Sequence, residues 1–308
     1  MNFSDELIDR IKQKKSCICL GLDPDIDHSN FPTFLKSKHD DNLAIIREFT
    51  LSLIDELAED IVIIKPNLKF YEALGIEHYL NELTQHAHKK DLLVIIDSKG
   101  NDILTSMEMH YKAMFNNYNA DAITINAYMG EDVISPFDKY LEKGKGLFIL
   151  VKTSNPSSND FQDLFSVKLN VDEKLERISA FEVSEKILKR NYIRMAQLVN
   201  LWSKRSKGKH NYSSIGAVVG ANVPSIIVRN LRMLMQDSFF LMPGYGAQQG
   251  LLDSIDSAIK EDKLGAIINS SRGIMYAWNQ RFKGKFKDEE YLKAAKEEIK
   301  IMKKEINF

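Results

Sequence analysis

The segment Asp97-Ser-Lys-Gly-Asn-Asp102 sets two carboxylates and an ammonium group close together, and a further lysine, Lys65, ends an apolar run upstream. Residues i and i+2 of a strand share a face, so Asp97 and Lys99 point the same way where the chain is extended. Opposite charges about 4 Å apart hold one another ionised. A lysine kept protonated in a dry cavity by such neighbours can deliver a proton. An ordinary ion-pair network at a strand end would use the same residues, and spacing alone does not separate the two readings.

A second set of residues suits an anion. Pro243-Gly-Tyr-Gly246, followed by Gln248, and Ser270-Ser-Arg-Gly273 each come after an apolar run. Glycine lets backbone N–H groups approach an anion closely, and a guanidinium binds two of its oxygens at once. Gly244, Gly246, Gln248, Arg272 and Gly273 are therefore the candidate phosphate grip. Cys17 and Cys19 read as buried thiols on one strand face, with no second pair to complete a zinc site. His86 and His88, two apart on a helix, diverge. No Gly-x-Gly-x-x-Gly follows the first apolar run and no Walker sequence is present, which argues against a dinucleotide or nucleoside triphosphate site.

Positioning these groups requires a scaffold, and the apolar runs outline one. Eight occur in order: Cys17–Leu22, Ile61–Ile64, Leu92–Ile96, Ala122–Ile125, Leu147–Val151, Ile215–Val219, Phe239–Met242 and Ala266–Ile268. Short Ile/Val/Leu-rich runs without polar alternation suit parallel strands buried on both faces. The segments between them hold helical spacing, as in Asn42–Glu59, where Ile45, Ile46, Phe49, Leu53 and Leu57 fall on one face. Eight such units predict an α/β fold: one (β/α)8 TIM barrel, a single domain over residues 1–308. The residues just after the runs are nearly all polar or charged, as the catalytic end of a barrel demands: Asp23, Lys65 with Asn67, Asp97 with Lys99, Asn126, Thr153 with Ser154, Asn222, and the two glycine turns. An insertion of about 157–213 separates the fifth and sixth strands. It includes a helix with Leu188, Tyr192, Met195, Val199 and Trp202 on one side, and a basic turn, Lys204 to His210, expected as a solvated loop. The Lys/Glu-rich stretch Lys285–Lys304 is expected as a solvated C-terminal helix closing the barrel's base.

Bulk composition excludes more than it selects. With 42 Lys+Arg against 43 Asp+Glu the net charge is -1, which argues against a binder of nucleic acid that works by neutralising phosphates. An apolar content of 44% is that of a folded chain. Two cysteines, no secretory leader pattern and no apolar stretch long enough to span a bilayer make the cytoplasm the expected location and no membrane the expected partner.

Taken together the motifs resemble a known family. Gly21-Leu-Asp-Pro24, Asp97-x-Lys-x-x-Asp102 and Pro243-Gly-x-Gly are similar to orotidine 5'-phosphate decarboxylases. Ile64-Lys-Pro-Asn67, Lys152-Thr-Ser-Asn-Pro156, Val219-Gly-Ala-Asn222, Gly246-Ala-Gln248 and Asn269-Ser-Ser-Arg-Gly273 resemble the longer subgroup of that family. The resemblance implies conversion of a small nucleotide, orotidine 5'-phosphate, to UMP and carbon dioxide, with no metal and no organic cofactor. It implies that Lys99 protonates C6, that Asp97 faces the departing carboxylate, and that Lys65 and Asp102 complete the catalytic array, with Asp102 supplied across a homodimer. Asp23 and Asn67 would hold the ribose, Thr153 and Ser154 the pyrimidine edge, and Gln248, Arg272 and Gly273 the phosphate, with Pro243 and Gly246 also in the substrate-binding set. After Asp102 the chain reads Ile-Leu-Thr-Ser, departing from the family's usual pattern, and Ser106 is the hydroxyl expected to replace its threonine. The phosphate loop is short, so closure is expected from the Thr153–Asp160 loop or the insertion. A magnesium-dependent sugar-phosphate decarboxylase or aldolase of the same superfamily is the alternative. At 308 residues, no attached phosphoribosyltransferase is expected.

Overall fold

A computed structural model describes residues 2–167, 188–246 and 252–308. Eight parallel strands close into a barrel: β1 (Ile18–Leu22), β2 (Ile63–Pro66), β3 (Leu93–Gly100), β4 (Ala122–Ile125), β5 (Gly146–Lys152), β6 (Ser213–Val219), β7 (Ser238–Pro243) and β8 (Ala266–Ser270). Each pairs with its sequence neighbours, and β8 closes on β1 through Ile18–Ile268 and Cys19–Asn269. All eight apolar runs are therefore strands, with ends displaced by up to a few residues.

Burial on both faces explains why the runs lack polar alternation. Ile18, Leu20, Leu22, Ile64, Val94, Ile96, Ile123 and Ile268 join one apolar cluster with the surrounding helices. Cys19, Ile63, Leu93, Ile95, Ala122, Phe148, Leu241 and Ile267, of opposite parity, join a second inside the barrel. Continuing the inward parity toward the strand C-termini replaces apolar residues with functional ones: Lys65 after Ile63, Asp97 after Ile95, Thr124 after Ala122, Asn269 after Ile267. Cys17 and Cys19 are both buried free thiols. They lie in different clusters because Cys17 precedes the strand.

The base is closed by the first helix and not by the last. Helix Phe3–Lys14, capped by the Asn2 side chain, buries Phe3, Leu7, Ile8 and Ile11 in the inner cluster and so closes the base. Its Lys14 ammonium donates to the carbonyls of Ala58 and Asp91, and Ser4 Oγ to that of Tyr212, all on loops entering the strands. The C-terminal helix Tyr291–Glu305 is not the base plug. It packs on the flank against helix Asn42–Leu57 and buries Tyr291, Ala294, Ala295, Ile299 and Met302. Most of its Lys and Glu side chains mark the outer face, but Glu298 is buried.

In the insertion, Asn191–Ser203 is helical with Tyr192, Ala196, Val199 and Trp202 buried; Leu188 precedes it and Met195 is partly exposed. A two-residue antiparallel pair, Phe165–Ser166 with Lys189–Arg190, brackets the residues outside the described set. The basic turn is not simply solvated: Arg205 pairs with Glu131 and Asp138, Lys207 with Asp237 at 2.5 Å and Lys209 with Asp9 at 2.9 Å. No helix among the described residues is long and apolar enough to cross a membrane.

Candidate active site

At the C-terminal mouth of the barrel, Asp97 is the hub of a charged array. Its Oδ2 accepts from Lys65 Nζ at 2.8 Å, and its Oδ1 accepts from Lys99 Nζ at 2.6 Å and from Thr124 Oγ1 at 2.7 Å. Lys65 Nζ also lies 3.8 Å from Asp23 Oδ1. Burial opposes charge on both central groups, but their partners outweigh it: the Asp23 and Asp97 carboxylates hold Lys65 above the ordinary lysine range, and the Lys65 and Lys99 ammoniums hold Asp97 well below the ordinary carboxylate range. The Lys65 side chain is 4% exposed and that of Lys99 is 48% exposed, so one ammonium is locked in the floor and the other stands at the open mouth.

Strand periodicity alone does not bring Asp97 and Lys99 together. The β3–β4 register shifts between Ile96 and Gly100, and Lys99 takes a left-handed backbone with φ of 49°. Such a conformation is strained for a side-chain-bearing residue and persists only where its surroundings enforce it. Here the Lys99 N–H donates to Thr124 Oγ1 at 3.1 Å and Ser98 Oγ donates to the Thr124 carbonyl at 3.0 Å. Thr124 thus aims both partners, and nothing in its sequence surroundings singles it out beyond its inward parity.

A cavity of about 320 Å3 opens beside the array, and its wall includes Asp23, Lys65, Phe70, Asp97, Ser154, Pro243, Gly244, Tyr245, Ser271 and Arg272. Gly21 allows the β1 and β8 ends to approach closely, since a Cβ there would lie 1.9 Å from Ser271 Oγ. Of the residues expected at the site, Asp23, Lys65, Asp97, Ser154, Pro243 and Arg272 line this cavity, and Lys99 adjoins it through Asp97. Thr153 does not share the wall with Ser154: its hydroxyl donates to Asn155 Oδ1 at 2.6 Å, and Gln162 bonds both its N–H and its Oγ1. Asn67 caps the helix Leu68–Ala73 and pairs its backbone with Asp97. Gly246 is exposed with φ of 81°, and Gly273 lies buried in the short helix Arg272–Met275 that follows β8. Gln248 falls outside the described residues. Asp102 and Ser106 are exposed, and among the described residues Asp102 Oδ1 accepts from the next residue's N–H. Within one chain the second carboxylate of the array is therefore Asp23, not Asp102.

Three contributors escaped the sequence reading besides Thr124. Lys152, buried at the end of β5, donates to Ser158 Oγ, Asn159 Oδ1 and Asp163 Oδ2 at 3.2, 3.1 and 2.9 Å, folding the loop that carries Ser154 back onto the barrel. His28 and Tyr276, both on the cavity wall, stack with centroids 4.8 Å apart. Lys152 opens the Lys152-Thr-Ser-Asn-Pro156 motif and His28 is a lone histidine, and neither position signals these contacts in the sequence. Among the described residues no three His, Cys, Asp or Glu side chains converge as a metal-binding set.

Comparison with known proteins decides the family. A sequence model of the Orotidine 5'-phosphate decarboxylase / HUMPS family matches residues 16–285. The chain belongs to that family. It is 36% identical over 313 aligned positions to an orotidine 5'-phosphate decarboxylase of Caldicellulosiruptor bescii, covering 95% of each chain. Among solved structures it is similar to Leishmania donovani OMP decarboxylase, with a TM-score of 0.72 at 28% identity and all of both chains covered. It also covers 57% of the length of Leishmania donovani UMP synthase, with 97% of this chain aligned, a TM-score of 0.70 and 29% identity. The magnesium-dependent aldolase alternative finds no support among these relatives.

Proposed function

We infer that this protein is an orotidine 5'-phosphate decarboxylase, a carboxy-lyase that converts its nucleotide to UMP and carbon dioxide. The observation that carries the reading is the Lys65–Asp97–Lys99 array beside a cavity whose wall also holds Arg272, in a chain of this family. Arg272 offers a guanidinium for the phosphate that takes no part in the Lys65–Asp97–Lys99 contacts.

In the reaction the bond from C6 to the carboxylate breaks, carbon dioxide leaves, and the electron pair stays on C6 until the Lys99 ammonium delivers a proton there. A ring carbanion of this kind is poorly delocalised, and the catalyst must supply on the order of 20 kcal/mol. The main contribution is a fixed ammonium already aimed where negative charge develops, which costs no reorganisation during the step. Lys65 and Thr124 hold Asp97 while Asp97 aims Lys99. Asp23 Oδ1, buried and without a hydrogen-bond partner among the described residues, is suited to accept from a ribose hydroxyl. Ser154 serves the pyrimidine edge, and Arg272 with the Pro243–Gly246 turn the phosphate. The fall in absorbance as orotidine 5'-phosphate becomes UMP tests the reading: turnover should persist in EDTA and be lost in Lys99→Ala. Wild-type protein that produces no UMP would refute it.

Asp102 acts, in this reading, from the partner subunit of a homodimer. Support comes from the helix that follows it, Leu104–Lys112 with Ile103 at its start, where Ile103, Leu104 and Met109 are 57%, 45% and 60% exposed. Apolar side chains grouped in this way suit a protein–protein interface. Cytoplasmic residence fits the two buried free thiols and belongs to the same proposal.

A further inference from the structure

Tyr245 lies between two glycines with left-handed backbones, Gly244 at φ of 107° and Gly246 at 81°. The segment should be among the most pliable in the cavity wall, because glycine gives up more conformational freedom on ordering than any other residue. Yet Tyr245 is 4% exposed and pinned at both ends. Its carbonyl accepts from Ser270 Oγ at 3.3 Å, which ties the turn to the end of β8. Its hydroxyl donates to Glu305 Oε2, in the last turn of the C-terminal helix. Glu305 Oε1 in turn takes Arg281 NH1 at 3.2 Å, and Arg281 Nε faces Glu298 at 2.9 Å, where the Glu298 side chain is 3% exposed. A continuous polar path thus runs from the cavity wall to the outer helix through Tyr245, Glu305, Arg281 and Glu298.

Fixing the helix to the barrel does not require this path. The helix already buries Tyr291, Ala295, Ile299 and Met302, and buried ionic groups seal such a face less well than apolar ones of similar size. Their distinctive property is direction, because a phenol hydroxyl bound to a carboxylate fixes a point in space whereas apolar contact can slide. We propose that Tyr245, Glu305 and Arg281 are positioning residues that clamp the turn after β7 to the C-terminal helix, presetting the backbone that grips the substrate's phosphate. The inference rests on the assignment of Arg272 and the Pro243–Gly246 turn to the phosphate. It makes the C-terminal helix, remote from the reacting carbon, a determinant of the preference for a phosphorylated substrate.

Glu305→Ala, Glu305→Gln and Tyr245→Phe, each assayed as the full-length protein, test it with orotidine 5'-phosphate and with orotidine, which lacks the phosphate. Glu305→Ala and Tyr245→Phe should raise KM for the nucleotide about tenfold, the scale of a lost positioning contact. In both, kcat should stay within about twofold. Glu305→Gln retains an acceptor for the phenol and should remain within about threefold of the wild-type KM. The kcat/KM of Glu305→Ala for orotidine should be unchanged, which a general loosening of the fold would not produce. Arg272→Ala is the control for the underlying assignment. If it keeps the wild-type preference for nucleotide over nucleoside, the phosphate assignment falls and the clamp with it. If Arg272→Ala abolishes the preference while Glu305→Ala leaves the nucleotide KM unchanged, or weakens both substrates equally, the clamp alone is overturned.

Discussion

Asp97 takes two ammonium groups and one hydroxyl on its two oxygens, and that crowding defines the chemistry at the residue scale. A depressed carboxylate pKa contributes stability that is present above the unfolded value, near pH 4, and is lost as pH falls through the folded value. The raised Lys65 behaves oppositely, contributing below the unfolded lysine value near pH 10 and losing that contribution as pH rises through the folded one. Between about pH 4 and 10 neither group changes charge, so neither should put an inflection into kcat/KM there. Asp97→Asn leaves Lys65 buried with only the more distant Asp23 and is expected to cost about 3 kcal/mol at pH 7, with activity lost. Because the lost contribution is itself lost in acid, the stability gap between the two proteins should narrow below about pH 4. Urea titrations across that range check the sign.

Elements place these groups by a rule of parity. Inward positions of the strands are apolar at the base and become Lys65, Asp97, Thr124, Lys152 and Asn269 near the top, so one alternation serves both core and site. The rule was visible in the sequence as polar residues following apolar runs. The bulge that turns Lys99 to a φ of 49° was not visible, because it depends on hydrogen bonds from β4. The loop after β5 depends on side-chain contacts within it and on one from far along the chain. Lys152 holds Ser158, Asn159 and Asp163 at once, and Asn222 Nδ2 donates to the Ser154 carbonyl at 2.9 Å. Lys152→Met should free this loop: KM should rise about tenfold, and a protease should cut faster between residues 155 and 163. Unchanged cleavage would show that the loop holds without its lysine.

At the scale of the whole molecule, one chain presents an array whose proposed fourth catalytic member faces outward. If Asp102 completes the array in a partner, Asp102→Asn and Lys99→Ala should each be inactive alone, whereas co-refolding equal amounts should restore about a quarter of wild-type activity. Random pairing makes half the dimers mixed, and each mixed dimer has one intact site of two. Absence of complementation would remove Asp102 from the shared site. Leu104→Asp, which places a charge in the exposed apolar group, should shift sedimentation toward the monomer and depress activity in parallel.

Sequence by itself determined the barrel, its eight strands and the identities of the charged groups, because strand burial and strand-end chemistry are local properties written in short runs. The array's members were legible from Asp97-x-Lys99 and Lys65-Pro-Asn67, but their partners were not. That Asp23 rather than Asp102 sits by Lys65 within the chain, that Thr124 aims Asp97 and Lys99, that Thr153 turns into its own loop, and that the first helix rather than the last plugs the base were decided only by tertiary structure. Thr153 turns to Asn155 and Gln162 within its own loop, but the others depend on which elements converge when the sheet closes, and closure brings together residues such as Asn2 and Ser206, or Tyr245 and Glu305, whose separation along the chain leaves no periodic trace.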